Sequence, residues 1–238
     1  MYKSNALLSF VLILYTAFVV YLLNEEVEIA SSLSSLICPA IAIIYFLLVK
    51  KKTLFFSLFL IFFSVSEIMN LLAGRVIPHL ISYFIGNGLY VIAYFTLLLE
   101  ICKKDSVAHL FKNFKIHLIV LTALDVYIIY FLQDIIAPFI SIPQEYALEL
   151  VYNIVMLVLL SAALLNYFHR DDKKSLLLFL GSLCIVFAEV IGVAYLYIKD
   201  ERLLSFLSTT LFLLAFLTLL RQSKMEYVKS KRLLIDEL

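Results

Sequence analysis

Residues 54–73 read LFFSLFLIFFSVSEIMNLLA, twenty positions in which the only ionisable side chain is Glu67. A helix needs roughly 20 apolar residues to cross about 30 Å of hydrocarbon, so this stretch is long enough to span a bilayer. Backbone groups cannot go unpaired in lipid, and a run of this kind must be helical. A carboxyl inside it costs at least about 2.5 to 3.5 kcal/mol on insertion scales, which makes Glu67 a functional candidate by default.

Outward from this run, the rest of the chain divides in the same way. The expected spans are about Ala6 to Leu23, Leu33 to Val49, Leu54 to Ala73, Leu80 to Glu100, Ile116 to Leu132, Ala147 to Tyr167, Ser175 to Ile198 and Leu203 to Leu220. The predicted fold class is therefore an all-α polytopic membrane protein with eight transmembrane helices. Residues 1–220 form the membrane domain and 221–238 a cytoplasmic tail. The composition agrees: 64% of the 238 residues are hydrophobic and the mean hydropathy is +1.04, far from a soluble domain. Lys3 followed by an apolar run resembles a signal peptide. That run is long and meets Asn24, Glu25 and Glu26 in place of a small-residue cleavage site, so it reads as the first span.

The net charge of +1 says little, but the placement of the basic residues says more. The N-terminus, the connections after spans 2, 4 and 6, and the tail carry sixteen lysines and arginines. The opposite side carries three, Arg75, Lys199 and Arg202. Under the positive-inside rule both termini face the cytoplasm. The tail mixes five basic with three acidic residues and some apolar ones, which fits either a helix on the inner leaflet or a solvated segment. Its last residues, IDEL, look like a lumenal retention signal, which a cytoplasmic terminus would hide. No basic patch suits nucleic acid. Cys38, Cys102 and Cys184 are too far apart for a CxxC site, His79, His109, His117 and His169 sit in or beside loops, and no phosphate loop or nucleophile motif occurs. Neither a metal nor a cofactor is expected.

A shift of 122 residues lays the chain on itself. Phe84, Leu89, Ala93, Thr96, Leu97 and Leu98 fall on Phe206, Leu211, Ala215, Thr218, Leu219 and Leu220. At the same offset Glu67 falls on Glu189, Tyr45 and Phe46 on Tyr167 and Phe168, and Lys51 and Lys52 on Lys173 and Lys174. The expectation is two repeats, about 1–100 and 116–220. With four spans each, they would be parallel and related by an axis along the membrane normal. Glu67 and Glu189 each lie about fourteen residues into a span, roughly 20 Å from its cytoplasmic end.

Asn87, Tyr90, Asp125, Tyr152, Asn153, Thr209 and Thr210 fall in the same layer of the bilayer. Interhelical hydrogen bonding accounts for many such groups in membranes, with Glu67 held by Asn87 as one version. Two carboxyls at equivalent depth are costly as mere links, and Asp125 fits either role. Glu100 and Glu149 lie near span ends, where snorkelling suffices.

This layout resembles the YhhN family, membrane proteins of bacteria and animals that include lysoplasmalogenase. The likeness is carried over most of the chain by Pro39 and Ala40 at the start of span 2, Ser66 and Glu67 in span 3, and Phe84, Asn87, Tyr90 and Phe95 in span 4. Tyr152 and Met156 in span 6 and Ala188 and Glu189 in span 7 complete it. Family members typically carry Asp at the positions of Glu67 and Glu189 and often His at that of Asn87. Glutamate keeps the carboxyl but moves it by about one methylene, and Asn can hydrogen-bond but not relay a proton. The resemblance implies a bacterial inner (plasma) membrane location and hydrolysis of the vinyl ether of a lysoplasmalogen or related lysolipid. Glu67 and Glu189 would be catalytic, and Asn87, Tyr90, Asp125, Tyr152, Asn153 and Arg75 would bind substrate. Acid hydrolysis of a vinyl ether begins with proton donation to carbon, for which one carboxyl must stay protonated, and a second, ionised one would steady the cation and activate the water, a division that unlike environments produce. Competing readings are a small proton-coupled carrier, for which parallel repeats with buried carboxyls also occur, and a silent lipid-binding protein. Five Gly and four Pro leave few interruptions of the broken-helix kind that carriers use.

Overall fold

The computed structural model describes residues 2–74, 76–103, 114–140 and 142–225, without the side chains of residues 2–6 and His79. Eight α-helices are described: α1 Tyr2–Leu23, α2 Val27–Leu48, α3 Leu54–Leu72, α4 His79–Cys102, α5 Lys115–Ile136, α6 Pro143–Arg170, α7 Lys173–Tyr197 and α8 Arg202–Ser223. A single turn of 3₁₀ helix, Ala137–Phe139, follows α5, and no strand occurs among the described residues. α2 to α8 are long and apolar enough to cross a membrane, and the apolar stretch Leu7–Leu23 of α1 is shorter. The chain is built as a helical membrane protein.

Several helices overrun the apolar segments expected of them. α2 starts at Val27, ahead of the expected Leu33, and takes in Glu28, Ser31 and Ser32. Intrahelical bonds satisfy the backbone on either side of the lipid boundary, so the helix need not stop where the hydropathy does. Pro39 therefore lies inside α2 and not at its start, where it removes the bond to the Ser35 carbonyl. α6 is the longest helix at 28 residues. Pro143 opens it, Glu145 lies in its first turn, and His169 and Arg170 lie in its last, all suited to the helix dipole. Asp171 ends it in the left-handed conformation at φ 49°. Asp172 then caps α7, accepting the Ser175 N–H at 2.6 Å within a capping box. Between α3 and α4, Gly74 turns the chain at φ 71° and donates its N–H to the Ile77 carbonyl at 2.9 Å, a conformation that glycine adopts without a side-chain clash.

Apart from α4 and α5, sequential helices pack as neighbours, most extensively α7 with α8 and α3 with α4. α4 also packs on α6, and α2 on α8. Ser66 donates to the Gly86 carbonyl at 2.8 Å across α3 and α4, and Ser208 to the Ala188 carbonyl at 2.9 Å across α8 and α7. Such hydroxyls let helix backbones approach closely in a membrane. Aromatic rings fill the centre, where Phe63 packs edge-on against Tyr90 and Phe216, with centroids 4.8 Å away in both cases, and Phe59 stacks on Phe216. α5 stands at the periphery, touching α6 and α7 and burying only Leu132, Gln133 and Ile136. Its Ile116, Ile119, Tyr127 and Tyr130 face outward, as lipid permits.

Candidate functional site

One cavity of about 750 Å³ contains both intramembrane glutamates. Glu67 reaches it from α3 and Glu189 from α7, joined by Asn87 and Tyr90 of α4 and by Tyr152 and Asn153 of α6. Phe63, Phe212 and Phe216 line the inner part, while Leu22, Val27 and Tyr197 line it where α1, α2 and α7 meet the loops. The space thus runs from the aromatic centre to the end of the bundle that carries the α1–α2 and α7–α8 connections.

Hydrogen bonds fix the two carboxyls differently. Glu67 accepts from the Tyr90 hydroxyl at 2.9 Å, and Tyr90 in turn accepts from the Asn70 amide at 2.9 Å. Glu189 accepts from two phenols on one oxygen, Tyr94 and, at 2.5 Å, Tyr152. The Tyr94 and Tyr152 rings meet edge to face with centroids 5.6 Å apart, so packing sets the direction of both donors. Asn153 is 2% exposed, and its side-chain nitrogen has no hydrogen-bond partner among the described residues. It is a donor already desolvated beside the cavity.

A third carboxyl joins them. Glu149 lines the same cavity and accepts from the Tyr83 hydroxyl at 2.6 Å and from the Asn87 amide at 3.5 Å. Its expected place was a span end with the head group snorkelling. Because α6 begins at Pro143, Glu149 instead faces inward, and it engages the Asn87 that sequence reading assigned to Glu67. Glu149, Tyr152, Asn153 and Met156 follow the i, i+3, i+4, i+7 spacing of one helix face. Tyr83, Asn87, Tyr90 and Tyr94, at i, i+4, i+7 and i+11, likewise share one face of α4. Those two stripes are the signals by which Glu149, Tyr83 and Tyr94 could have been found.

Two expected site residues are not in this group. Asp125 lies on peripheral α5, away from the cavity lining, and accepts from Ser161 of α6 at 2.8 Å. Arg75 lies outside the described residues, as does the tail from residue 226 onward. Of the two threonines in α8, Thr209 lines the cavity and Thr210 shares a 2.7 Å hydrogen bond with Tyr15 of α1. Cys38 is buried, lines the cavity and sits 3.7 Å from the Ser64 hydroxyl.

No protein-family model, curated protein or solved structure matches the chain. Its chemistry is accordingly read from the cavity: carboxyls, phenols and amides at the polar positions, aromatic and aliphatic walls, and a volume in the range of small-molecule sites. No group of three or more His, Cys, Asp or Glu side chains among the described residues is arranged to hold a metal ion.

Proposed function

We propose that this chain is a YhhN-like membrane hydrolase that cleaves the vinyl ether of a lysoplasmalogen or related lysolipid, with Glu67 and Glu189 as its acid and base. The observation that carries the reading is the meeting of these two carboxyls, 122 residues apart in the chain, in one cavity with unlike hydrogen-bond partners. Glu189, which accepts two phenol hydroxyls, is the carboxylate. Glu67, held by one phenol and by the less acidic hydroxyl of Ser35, is the proton donor.

In this reaction the Glu67 proton goes to the β-carbon of the vinyl ether, and the electron pair of the double bond forms the new C–H bond. The resulting oxocarbenium ion is stabilised by the Glu189 carboxylate, which then takes a proton from the attacking water. The hemiacetal so formed collapses to a fatty aldehyde and the free glycerophospho-alcohol. Asn153 donates to a substrate oxygen, Tyr90 and Tyr152 hold the carboxyls in place, and the alkyl chain lies against Phe63, Phe212 and Phe216.

The fold that serves this site has eight spans in two parallel four-helix halves, with both termini in the cytoplasm of a bacterial cell. Support for the repeat comes from burial in register: Ile41 and Ala163, Phe63 and Ile185, Ala93 and Ala215, and Leu97 and Leu219 are each no more than 1% exposed. The two Ser-to-carbonyl bonds join repeat-equivalent positions, with donor and acceptor exchanged between the halves. Helices α3 and α7 continue unbroken through Glu67 and Glu189, which favours a hydrolase over a carrier with a discontinuous midplane site.

The test compares three lysolipids of equal chain length, carrying a vinyl ether, a saturated ether or an ester, each presented to the purified protein in micelles. Aldehyde should appear from the vinyl ether alone. Its absence, at protein concentrations sufficient for single turnover, would overturn the reading.

A further inference from the structure

The carboxyl cavity has two unlike walls, one from α4 and α6 and one from α2 and α8. In the sequence an offset of 122 residues lays α2 on α6 and α4 on α8. At that offset Glu149, Tyr152 and Asn153 of α6 fall on Val27, Ala30 and Ser31 of α2, and all six line the cavity. Likewise Tyr83 and Asn87 of α4 fall on Ser205 and Thr209 of α8, which also line it. Large polar groups thus fill the α4–α6 wall, while short side chains leave room along the α2–α8 wall.

Packing differs in the same sense. α4 packs extensively on α6, whereas α2 touches α8 far less. Tyr152 and Asn153 are buried, but Val27 and Ser31 are exposed and Ser34 and Ser205 half-buried, although each lines the cavity. The cavity therefore reaches the outside between α2 and α8. Helix α1 stands at that seam, packed extensively on α2 and only lightly on α8. Its Phe18 and Leu22 are buried with Ala30 of α2, and Phe206 of α8 packs beside them. Two polar links reach α8 from this side: the Tyr15–Thr210 hydrogen bond at 2.7 Å, and the exposed Arg202–Glu25 ion pair at 3.2 Å, a kind worth little in stability.

Asn153 supplies an independent sign of a ligand. It is 2% exposed, lines the cavity, and its side-chain nitrogen has no partner among the described residues, a desolvated donor that a ligand's oxygen would satisfy. Phe212 and Phe216 continue the α8 wall inward from the seam. An occupant with a hydrogen-bond acceptor at one wall and a slender apolar part along the other is a single-chain amphiphile. We infer that such a molecule enters the cavity from the bilayer between α2 and α8, that its alkyl chain rests in this seam, and that α1 is the element that yields to admit it. The inference takes its occupant from the proposed lipid substrate but requires no bond to be broken.

The experiment uses a saturated-ether lysolipid with a diazirine in mid-chain, which has no vinyl ether to cleave, photolysed with the full-length protein in phospholipid nanodiscs. Adducts are mapped by mass spectrometry, and those removed by excess unlabelled lysolipid are counted. They should fall on 27–34 of α2, 205–212 of α8 and the adjoining face of α1. The double variant Ser31→Phe/Ser205→Phe, which fills the seam, should lower this labelling by at least about fivefold. Val151→Phe, on the outward face of α6 at 46% exposure, should leave it unchanged. The wild-type map alone decides if the double variant does not fold. Competable adducts confined to other helices, their absence, or labelling unchanged by the double variant would overturn the route. Labelling at the seam by a protein that releases no aldehyde from the vinyl-ether lipid would uphold the route and sink the hydrolase reading, whereas aldehyde release with labelling elsewhere would do the reverse.

Discussion

Replacing Tyr94 by Phe removes a single oxygen from a side chain that is fully buried. The ring keeps its contacts with Phe63 and Tyr152, at centroid distances of 5.9 and 5.6 Å, so the change isolates the hydroxyl that Tyr94 donates to Glu189. The magnitude depends on the state of that carboxyl. Neutral interhelical hydrogen bonds in membranes average about 0.6 kcal/mol, whereas bonds to a charged group are worth about 1.5–3 kcal/mol. Glu189→Gln retains an amide oxygen as a neutral acceptor. A double-mutant cycle of Tyr94→Phe and Glu189→Gln therefore reports the excess strength of the carboxylate over the amide, about 1–2 kcal/mol on these figures. Equilibrium unfolding of the four proteins in mixed micelles, followed by near-ultraviolet circular dichroism, measures it. A coupling near zero would mean that Glu189 is neutral, and its assignment as the base would fail.

Packing gives a second expectation: a Cβ at Gly181 would stand 2.8 Å from Leu219 Cγ, while one at Gly86 meets nothing closer than 3.5 Å. Gly181→Ala should lower stability by about 1–3 kcal/mol, and Gly86→Ala should change it little, in the same unfolding assay. On topology, reporter fusions after Lys52, Lys104 and Lys174 should read cytoplasmic and one after Asp134 external, and any reversal would refute the orientation. For α5, Asp125→Ala should free the peripheral helix from Ser161, seen as faster hydrogen exchange in α5, with aldehyde release close to wild type. A large loss of rate would return Asp125 to the site.

The membrane fold was legible because lipid leaves the backbone few options. Apolar runs such as 54–73 had to be helices, and the described helices α1 to α8 fall on the eight expected runs. Their ends were less legible: hydropathy marks the hydrocarbon boundary, while α2 and α6 start ahead of it with intrahelical bonds and with Glu28 and Glu145 in their first turns, which an apolar count does not see. In the site, Glu67 and Glu189 stood out because a carboxyl inside a span is expensive wherever it faces. Which neighbour each carboxyl chose depended on helix rotation. The Asn87 amide went to Glu149 and not to Glu67 for that reason. Asp125 is as polar and as deep in the sequence pattern as the others, but α5 packs at the edge of the bundle and turns it toward Ser161.

The central claim is that Glu67 and Glu189 act as a catalytic pair on one bound lipid. It is tested most directly by single-turnover aldehyde release from a vinyl-ether lysolipid by wild type, Glu67→Gln, Glu189→Gln and, as a carboxyl outside the cavity, Asp125→Asn. Gln keeps the size and hydrogen bonding of Glu but can neither donate nor take up the proton, and loss of general acid–base catalysis costs about 10²- to 10⁴-fold. Both glutamate variants should fall by at least about 100-fold, with Asp125→Asn near wild type and all four proteins equally helical. Active wild type, with both Gln variants retaining most of its rate, would contradict the paired-carboxyl account.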